Sequence, residues 1–321
     1  MPTFIRLCLL SLVFLLAACD GEGASGVDSD GRIKWGLQMN WVPEPEFGGY
    51  YAARTLGAFR DEGIEIDLRP GGPGVPVMQM VASGQVEFGI TSADSVLVAR
   101  ERGVDVVAIF ALYQTFPEGI MVHAQRGLNS LAEVFEGGTL AMEAGTPFQL
   151  LLAKRFGLQK VRAVPFNNNL GPFLNDPLFA QQCFVTAEPI AARRAGVEPR
   201  VFPMTDIGYN PYAGVIFTRR KLLQEYPEQV AGFLRAVRRG WQDYLENPAA
   251  TNALMQTLNP TMDPETFAEA ANIQKPLITG TESPTPALGT MKIDRWAALA
   301  AQLQEVGLIG NIAPESVFVN P

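Results

Sequence analysis

From Ile33 onward, apolar and polar positions along the chain alternate in two rhythms. Residues 33–39 read as a strand, and residues 64–68, IEIDL, alternate with period two as a half-buried strand does. Between them, residues 48–62 carry helical spacing through Tyr51, Leu56 and Phe59 and stop at Gly63. Residues 75–82 predict a short helix and 86–90 a strand. Thr91, Ser92 and Asp94 are capping types that open a helix over 95–102. The nearly unbroken apolar run 104–112 predicts a buried parallel strand. Strands alternating with helices in this way predict a parallel sheet with helices on both faces.

A second round follows. It predicts strands over 120–123, 139–142, 161–165 and 183–186, and helices over 131–135, 148–156 and 190–195. After a strand at 214–218 the pattern becomes helical. Residues 229–245 place Val230, Phe233, Leu234, Val237, Trp241, Tyr244 and Leu245 on one stripe, and more helix is expected around Phe267 and over 296–306. The fold class is therefore α/β, with two units and a helical C-terminal tail. Ligands in open α/β sheets bind outside the carboxyl ends of the strands, so candidate chemistry is sought there.

The N-terminus follows neither rhythm. Arg6 precedes an apolar stretch, 7–18, that is too short for the roughly 20 residues of a bilayer span and matches the core of a secretory signal. Its end, Leu16-Ala17-Ala18-Cys19, resembles a bacterial lipobox; the alternative is an ordinary signal peptide with a chance cysteine. On the first reading the mature chain begins at a lipid-carrying Cys19, and the Gly- and Asp-rich segment up to Gly31 is a flexible tether. No later segment reaches about 18 consecutive apolar residues.

Composition narrows the function. The 321 residues suggest about two domains. A hydrophobic content of 47% supports a sizeable core, and 18% charged residues is too few for a disordered chain or a coiled coil. The net charge of −8, with no basic run, argues against a nucleic-acid partner. His123, the single histidine, excludes an HExxH site and any multi-histidine metal centre. Cys8, Cys19 and Cys183 are too few, and too clustered at the N-terminus, for a disulfide framework or a Cys-rich zinc site. Cys183 reads as a catalytic thiol only if His123 lies beside it, and otherwise as a small buried hydrophobe. Walker A, GxSxG and CxxC patterns are missing, and Gly71-Gly72-Pro73-Gly74 does not match GxGxxG. No cofactor is expected.

At the strand ends stand several candidates. The loop Asn40-Trp41-Val42-Pro43-Glu44-Pro45-Glu46-Phe47-Gly48-Gly49-Tyr50-Tyr51 is either a flat recognition surface for a planar ligand or a packed loop whose rings complete the core. Ser92 opens a helix whose amides either hold an acceptor group or are simply capped. Glu188 follows an apolar strand, where it either accepts hydrogen bonds from an amino group or serves as a first-turn helix charge. The segment Asp206-Ile207-Gly208-Tyr209-Asn210-Pro211-Tyr212 is a second aromatic-polar loop. Arg235, Arg238 and Arg239 share one helix and read as a solvated face.

Taken in order, three blocks resemble the solute-binding proteins of ABC transporters that take thiamine pyrimidine precursors. They are Asn40-Trp41-Val42-Pro43 to Ala53, Leu56-Gly57-Ala58-Phe59 to Ile64, and Gly84-Gln85-Val86-Glu87-Phe88-Gly89-Ile90. Thr186-Ala187-Glu188-Pro189, Tyr226-Pro227-Glu228 and Gly240-Trp241 to Pro248 agree with that likeness, which covers roughly residues 33 to 310. The family also holds yeast pyrimidine synthases and is similar to sulfonate-binding proteins. The resemblance implies a two-lobe clamshell of type II periplasmic-binding topology, each lobe a mainly parallel sheet flanked by helices. One lobe would take 32–120 plus 213–321 and the other 121–212, with hinges near 120 and 212.

It further implies a ligand site drawn from Asn40, Trp41, Phe47, Tyr50, Ser92, Glu188, Tyr209 and Asn210. In it Trp41 lies in the cleft and Glu188 engages a ring amino group. A permease and an ATPase would be partners of an exported monomer, held at the periplasmic or outer face of a membrane through Cys19. Where the family often has asparagine and histidine, this chain has Glu44 and Phe47. In the synthases that histidine is consumed and a cysteine-rich motif accompanies it, so a synthase is not expected. A pyrimidine precursor leads as ligand, with riboflavin, another heteroaromatic or a sulfonate open. The rival readings are an enzyme on this fold, which the lone His123 disfavours, and a lipoprotein that kept the clamshell without transport.

Overall fold

The computed structural model describes residues 26–280 and 287–321. The lipobox at Cys19 and the signal segment lie outside them. Residues 26–31, the end of the expected tether, fold back on the first strand. Val27 bridges Ile33, and Arg32 pairs with Asp28 at 3.0 Å and with Asp30 at 2.8 Å.

Ten strands form two five-stranded sheets. The first contains β1 (Ile33–Gln38), β2 (Ile64–Arg69), β3 (Phe88–Thr91), β4 (Val106–Tyr113) and β10 (Ala213–Arg219), in the order β2-β1-β3-β10-β4. The second contains β5 (Glu118–His123), β6 (Thr139–Met142), β7 (Arg162–Pro165), β8 (Phe179–Phe184) and β9 (Pro199–Pro203), in the order β7-β6-β8-β5-β9. In each sheet one strand opposes the others: β10 is antiparallel to both neighbours in the first, and β5 in the second. The sheets are mixed, with parallel pairing confined to β2-β1-β3 and β7-β6-β8. The chain leaves the first sheet after Tyr113, enters the second at Glu118, and returns between Pro203 and Ala213.

Several expectations change for physical reasons. The apolar run at 104–112 is β4, buried at all eight positions but antiparallel to its one sheet neighbour. Although β4 ends the ladder, the C-terminal segment covers its free edge. Ala108 N–H donates to Val317 O at 2.9 Å, and Ala111 N–H to Gly289 O at 3.0 Å. The expected helix over 48–62 is two helices, Gly48–Thr55 and Ala58–Asp61, broken at Gly57, whose φ of 74° is left-handed. Strand β8 begins four residues before the expected start at 183, because Gln181 and Gln182 are buried inside it. The unexpected β9 carries proline at both ends and lies at the sheet edge, where missing amides are tolerated. No helix among the described residues is long and apolar enough to cross a membrane.

One helix crossing fixes the start of the first lobe. Helix Gly48–Thr55 lies against helix Pro227–Glu246 so closely that side chains are excluded at the contact. A Cβ on Gly240 would meet Gly49 O at 2.2 Å, and one on Gly49 would meet the Trp241 ring at 2.1 Å. Trp241 is fully buried and meets Tyr50 edge-on at 5.5 Å. Gly240→Ala should therefore destabilise the fold by about 1–3 kcal/mol, the usual cost of overpacking. Thermal denaturation checks this, and an unchanged midpoint would refute the tight crossing.

Candidate functional site

The loop between β1 and helix Gly48–Thr55 is held by side-chain amides. Gln38 Nε2 donates to the carbonyls of Met39, Arg69 and Pro70 at 3.1–3.3 Å. Asn259 Nδ2 donates to Pro43 O at 3.1 Å and Gln274 Nε2 to Pro45 O at 2.9 Å. Tyr113 in turn donates its hydroxyl proton to Gln274 Oε1 at 2.8 Å. Prolines offer carbonyls but no N–H, so only donors from elsewhere can fasten such a loop. In this loop Trp41, Glu44 and Glu46 are half-buried, and Phe47 and Tyr50 are fully buried.

Across the passage stand Glu118, the first residue of β5, and Glu188, which opens helix Glu188–Arg194. One Glu188 oxygen accepts the Phe184 N–H at 2.8 Å, and the acid stands in the first turn of its helix. Glu44, Glu46, Glu118 and Glu188 come from three separate segments and both lobes. Each keeps part of its surface, yet burial is the largest influence on its proton. Glu44 is pushed up to about 7 by burial and the charge of Glu188, against the Trp41 indole N–H, which favours the anion. Glu118 is pushed up to about 8 by burial and the charges of Asp94, Glu143 and Glu188. Glu46 is raised well above its ordinary value by burial and by the charges of Glu44, Glu118 and Glu188, and Glu188 is raised by burial despite its backbone bonds. Among the described residues, no guanidinium or ammonium is among the charges that shift these four.

The other expected site residues divide. Asn40 is exposed beside Trp41. Ser92 gives its hydroxyl proton to Asp94, which also accepts the Ser95 N–H at 2.7 Å and the Tyr209 hydroxyl at 2.7 Å. A carboxylate thus occupies the helix start where an acceptor group had been one expectation for Ser92. Tyr209 is fully buried and ties the returning passage to the first lobe through that bond. Asn210 Oδ1 accepts from Phe116 N–H at 2.8 Å and from Arg295 Nη2 at 3.0 Å, joining the two passages to each other. The polar groups of Tyr209 and Asn210 are engaged in bracing the crossings. Cys183 is buried and unoxidised, and the charges of Glu188 and Glu118 act on it; His123 Nε2 instead donates to Phe173 O at 2.6 Å. That separation removes the thiol–imidazole reading.

Ion pairs close the flanks. From helix Glu188–Arg194, Arg193 reaches Glu269 at 2.8 Å and Arg194 reaches Asp263 at 3.1 Å, both in the first lobe. Tyr113 meets Phe184 edge-on at 5.8 Å between the lobes.

The profile of a family described as NMT1/THI5 like matches residues 44–251, well over half of the chain. The protein belongs to the NMT1/THI5-like family. The Riboflavin-binding protein RibY of Chloroflexus aurantiacus is 30% identical over 66% of this chain and 62% of its own length. The Formylaminopyrimidine-binding protein of Halalkalibacterium halodurans is 23% identical over 94% of each chain. Further matching members carry the name 4-amino-5-hydroxymethyl-2-methylpyrimidine phosphate synthase. Among solved structures, the periplasmic aliphatic sulphonate binding protein SsuA from Escherichia coli superposes with a TM-score of 0.69 at 14% identity, over 90% of this chain and 92% of that one. The fold is that of the periplasmic binding proteins, with two mixed sheets flanked by helices and a helical C-terminal region.

The raised glutamates set a pH dependence. Their ordinary value is 4.5, so the folded protein keeps protons that the unfolded chain has released. The stability they contribute is complete below that value and is lost as pH rises through about 7 for Glu44 and about 8 for Glu118. The melting temperature of the ligand-free protein should fall between about pH 5 and about pH 8, and Glu118→Gln should flatten that fall. A midpoint constant or rising over this window would contradict the arrangement of the acids.

Proposed function

We propose that this protein captures a small nitrogen-bearing heteroaromatic solute between its lobes, a thiamine pyrimidine precursor in the first instance. It then delivers the solute to the permease of an ABC importer and performs no catalysis itself. What carries the reading is electrostatic: the Trp41 indole of one lobe and the Glu188 carboxylate of the other both act on the proton of Glu44. A planar ring stacked on Trp41 gains about 0.5–1.5 kcal/mol beyond area burial. A donor on that ring bonded to the Glu188 carboxylate gains about 1.5–3 kcal/mol. An ionised carboxylate has no proton to donate, so the pairing selects N–H groups and disfavours a sulfonate. The relatives named for riboflavin and formylaminopyrimidine support a heteroaromatic ligand. The position of the synthases' histidine holds Phe47, which supports binding without chemistry.

Calorimetric titration with an aminopyrimidine should show Glu188→Gln losing more affinity than Trp41→Leu, with melting intact in both. Equal affinity of Glu188→Gln and the parent, or a parental preference for ethanesulfonate, would defeat this assignment. Native mass spectrometry of freshly purified protein gives the bound mass directly.

Export and anchoring through Cys19 belong to the same reading, as does a monomeric state. Cys19→Ala should block lipidation and signal cleavage when the full chain is expressed in a bacterium. Normal processing and membrane retention of that variant would refute the anchor.

A further inference from the structure

Helix Glu188–Arg194 of the second lobe ends on two arginines, and they meet the start of helix Pro264–Thr279 of the first. Arg193 Nη2 donates to Glu269 Oε1 at 2.8 Å. Arg194 Nη1 lies 3.1 Å from Asp263 Oδ1 and 4.0 Å from Glu265 Oε2. Asp263 caps the receiving helix. Its carboxylate accepts the Thr266 N–H at 2.8 Å and the Thr266 hydroxyl at 2.7 Å, so the acceptor is held in place by its own helix. Asp263 and Glu265 stand at a helix start and the arginines in a last turn, each charge at the helix end that its sign favours. A second contact repeats the polarity. From helix Pro147–Phe156 of the second lobe, Arg155 reaches Glu305 Oε2 at 3.4 Å and Lys154 donates to the Glu305 carbonyl, at the end of helix Ile293–Glu305 of the first. In all of these contacts the cation belongs to the second lobe and the acceptor to the first.

The arginine contact joins the two elements that carry the expected ligand residues. Its second-lobe helix opens with Glu188. Its first-lobe helix holds the loop of Trp41 and Glu44, because Gln274 Nε2 donates to Pro45 O at 2.9 Å, and Asn259, just before the helix, donates to Pro43 O at 3.1 Å. Arg193 and Glu269 keep 37% and 40% of their side-chain surface, so solvent and salt screen them, and one such pair is a small term against the whole fold. The difference between closed and open arrangements of two lobes is also small, so a set of small terms decides it.

We propose that this chain carries an electrostatic latch, in which Arg193 and Arg194 against Asp263, Glu265 and Glu269 hold the ligand-free lobes closed and set the Glu188 helix against the loop of Trp41. The inference goes beyond capture of a solute, and its test needs no ligand. Opening separates the two helices and returns these charges to water and salt. Rising ionic strength therefore shifts the lobes toward the open arrangement, and reversing one charge of the latch does the same at low salt.

Small-angle scattering of the ligand-free protein reads this balance. At about pH 6, below the values of Glu44 and Glu118, those acids keep their protons, so salt acts on the latch and not on their repulsion. A compact chain of this length has a radius of gyration of about 19 Å. From about 10 mM to about 1 M sodium chloride the screening length falls from about 30 Å to about 3 Å, and the parent's radius should rise by roughly 3–5%. Arg193→Glu and Glu269→Arg should each show that larger radius already at about 10 mM salt. The Arg193→Glu, Glu269→Arg double variant restores the pair with its direction reversed and should return to the parental radius. Rescue in the double variant excludes misfolding of the single ones, and all three should melt close to the parent, since an exposed pair adds little to the fold. A parental radius unchanged across the salt range, a single reversal as compact as the parent, or a double variant as expanded as the single ones overturns the latch. None of these outcomes bears on the solute, whose capture stands or falls by its own titration.

Discussion

Strand β10 carries the chain back from the second sheet into the interior of the first, where it lies antiparallel between β3 and β4. Because it closes the ladder from within, the first sheet draws its strands from both sides of the second in the sequence. The chain must therefore cross between sheets twice, at 114–117 and at 204–212. Those crossings bring the loop of residues 40–47, the head of β5 and the head of helix Glu188–Arg194 within electrostatic reach of one another. They are also where the bracing is concentrated: Asn210 fastens one passage to the other, and Tyr209 fastens the second to Asp94.

The electrostatics of Glu44, Glu46, Glu118 and Glu188 run against ordinary folding economy. Burying a carboxylate without a cation is costly, and such groups respond by holding their protons. Elsewhere in the chain, acids are spent on arginines, as Glu62 is on Arg235 and Asp61 on Arg239. The four glutamates are not, and their mutual influence crosses from lobe to lobe. Protonated, such a cluster costs the fold little; ionised, its members repel one another, and stability falls as pH rises. A fold shared with a sulfonate-binding protein need not share its ligand. Topology positions the ends of the strands, and the residues that stand there select the ligand.

The resemblance read from the blocks around Trp41, Gly57 and Gly84 reached the fold, because those blocks hold the turns and close contacts that the architecture needs. Periodicity found most of the elements. It failed where local rules were overridden: at β8, which buries two glutamines, at β9, which has proline at both ends, and at β4, whose free edge is sealed by residues more than 170 positions later. Trp41 and Glu188 were legible as candidates. Glu44 stood out only as a departure, and Glu46 and Glu118 did not stand out, since nothing local marks a glutamate as facing another one far along the chain.

By itself the sequence determined the alternation of strands and helices, the two α/β units, the amphipathic stripe of the long helix around Trp241, and the absence of multi-histidine and cysteine-framework chemistry. These depend on spacing and composition, which are properties of neighbouring residues. The tertiary structure alone decided that β10 enters between β3 and β4, that Tyr209 and Asn210 brace the passages, and that Glu46 feels the charges of Glu118 and Glu188. Those outcomes depend on through-space distance and on exclusion of water, and both exist only once the two sheets have closed on each other.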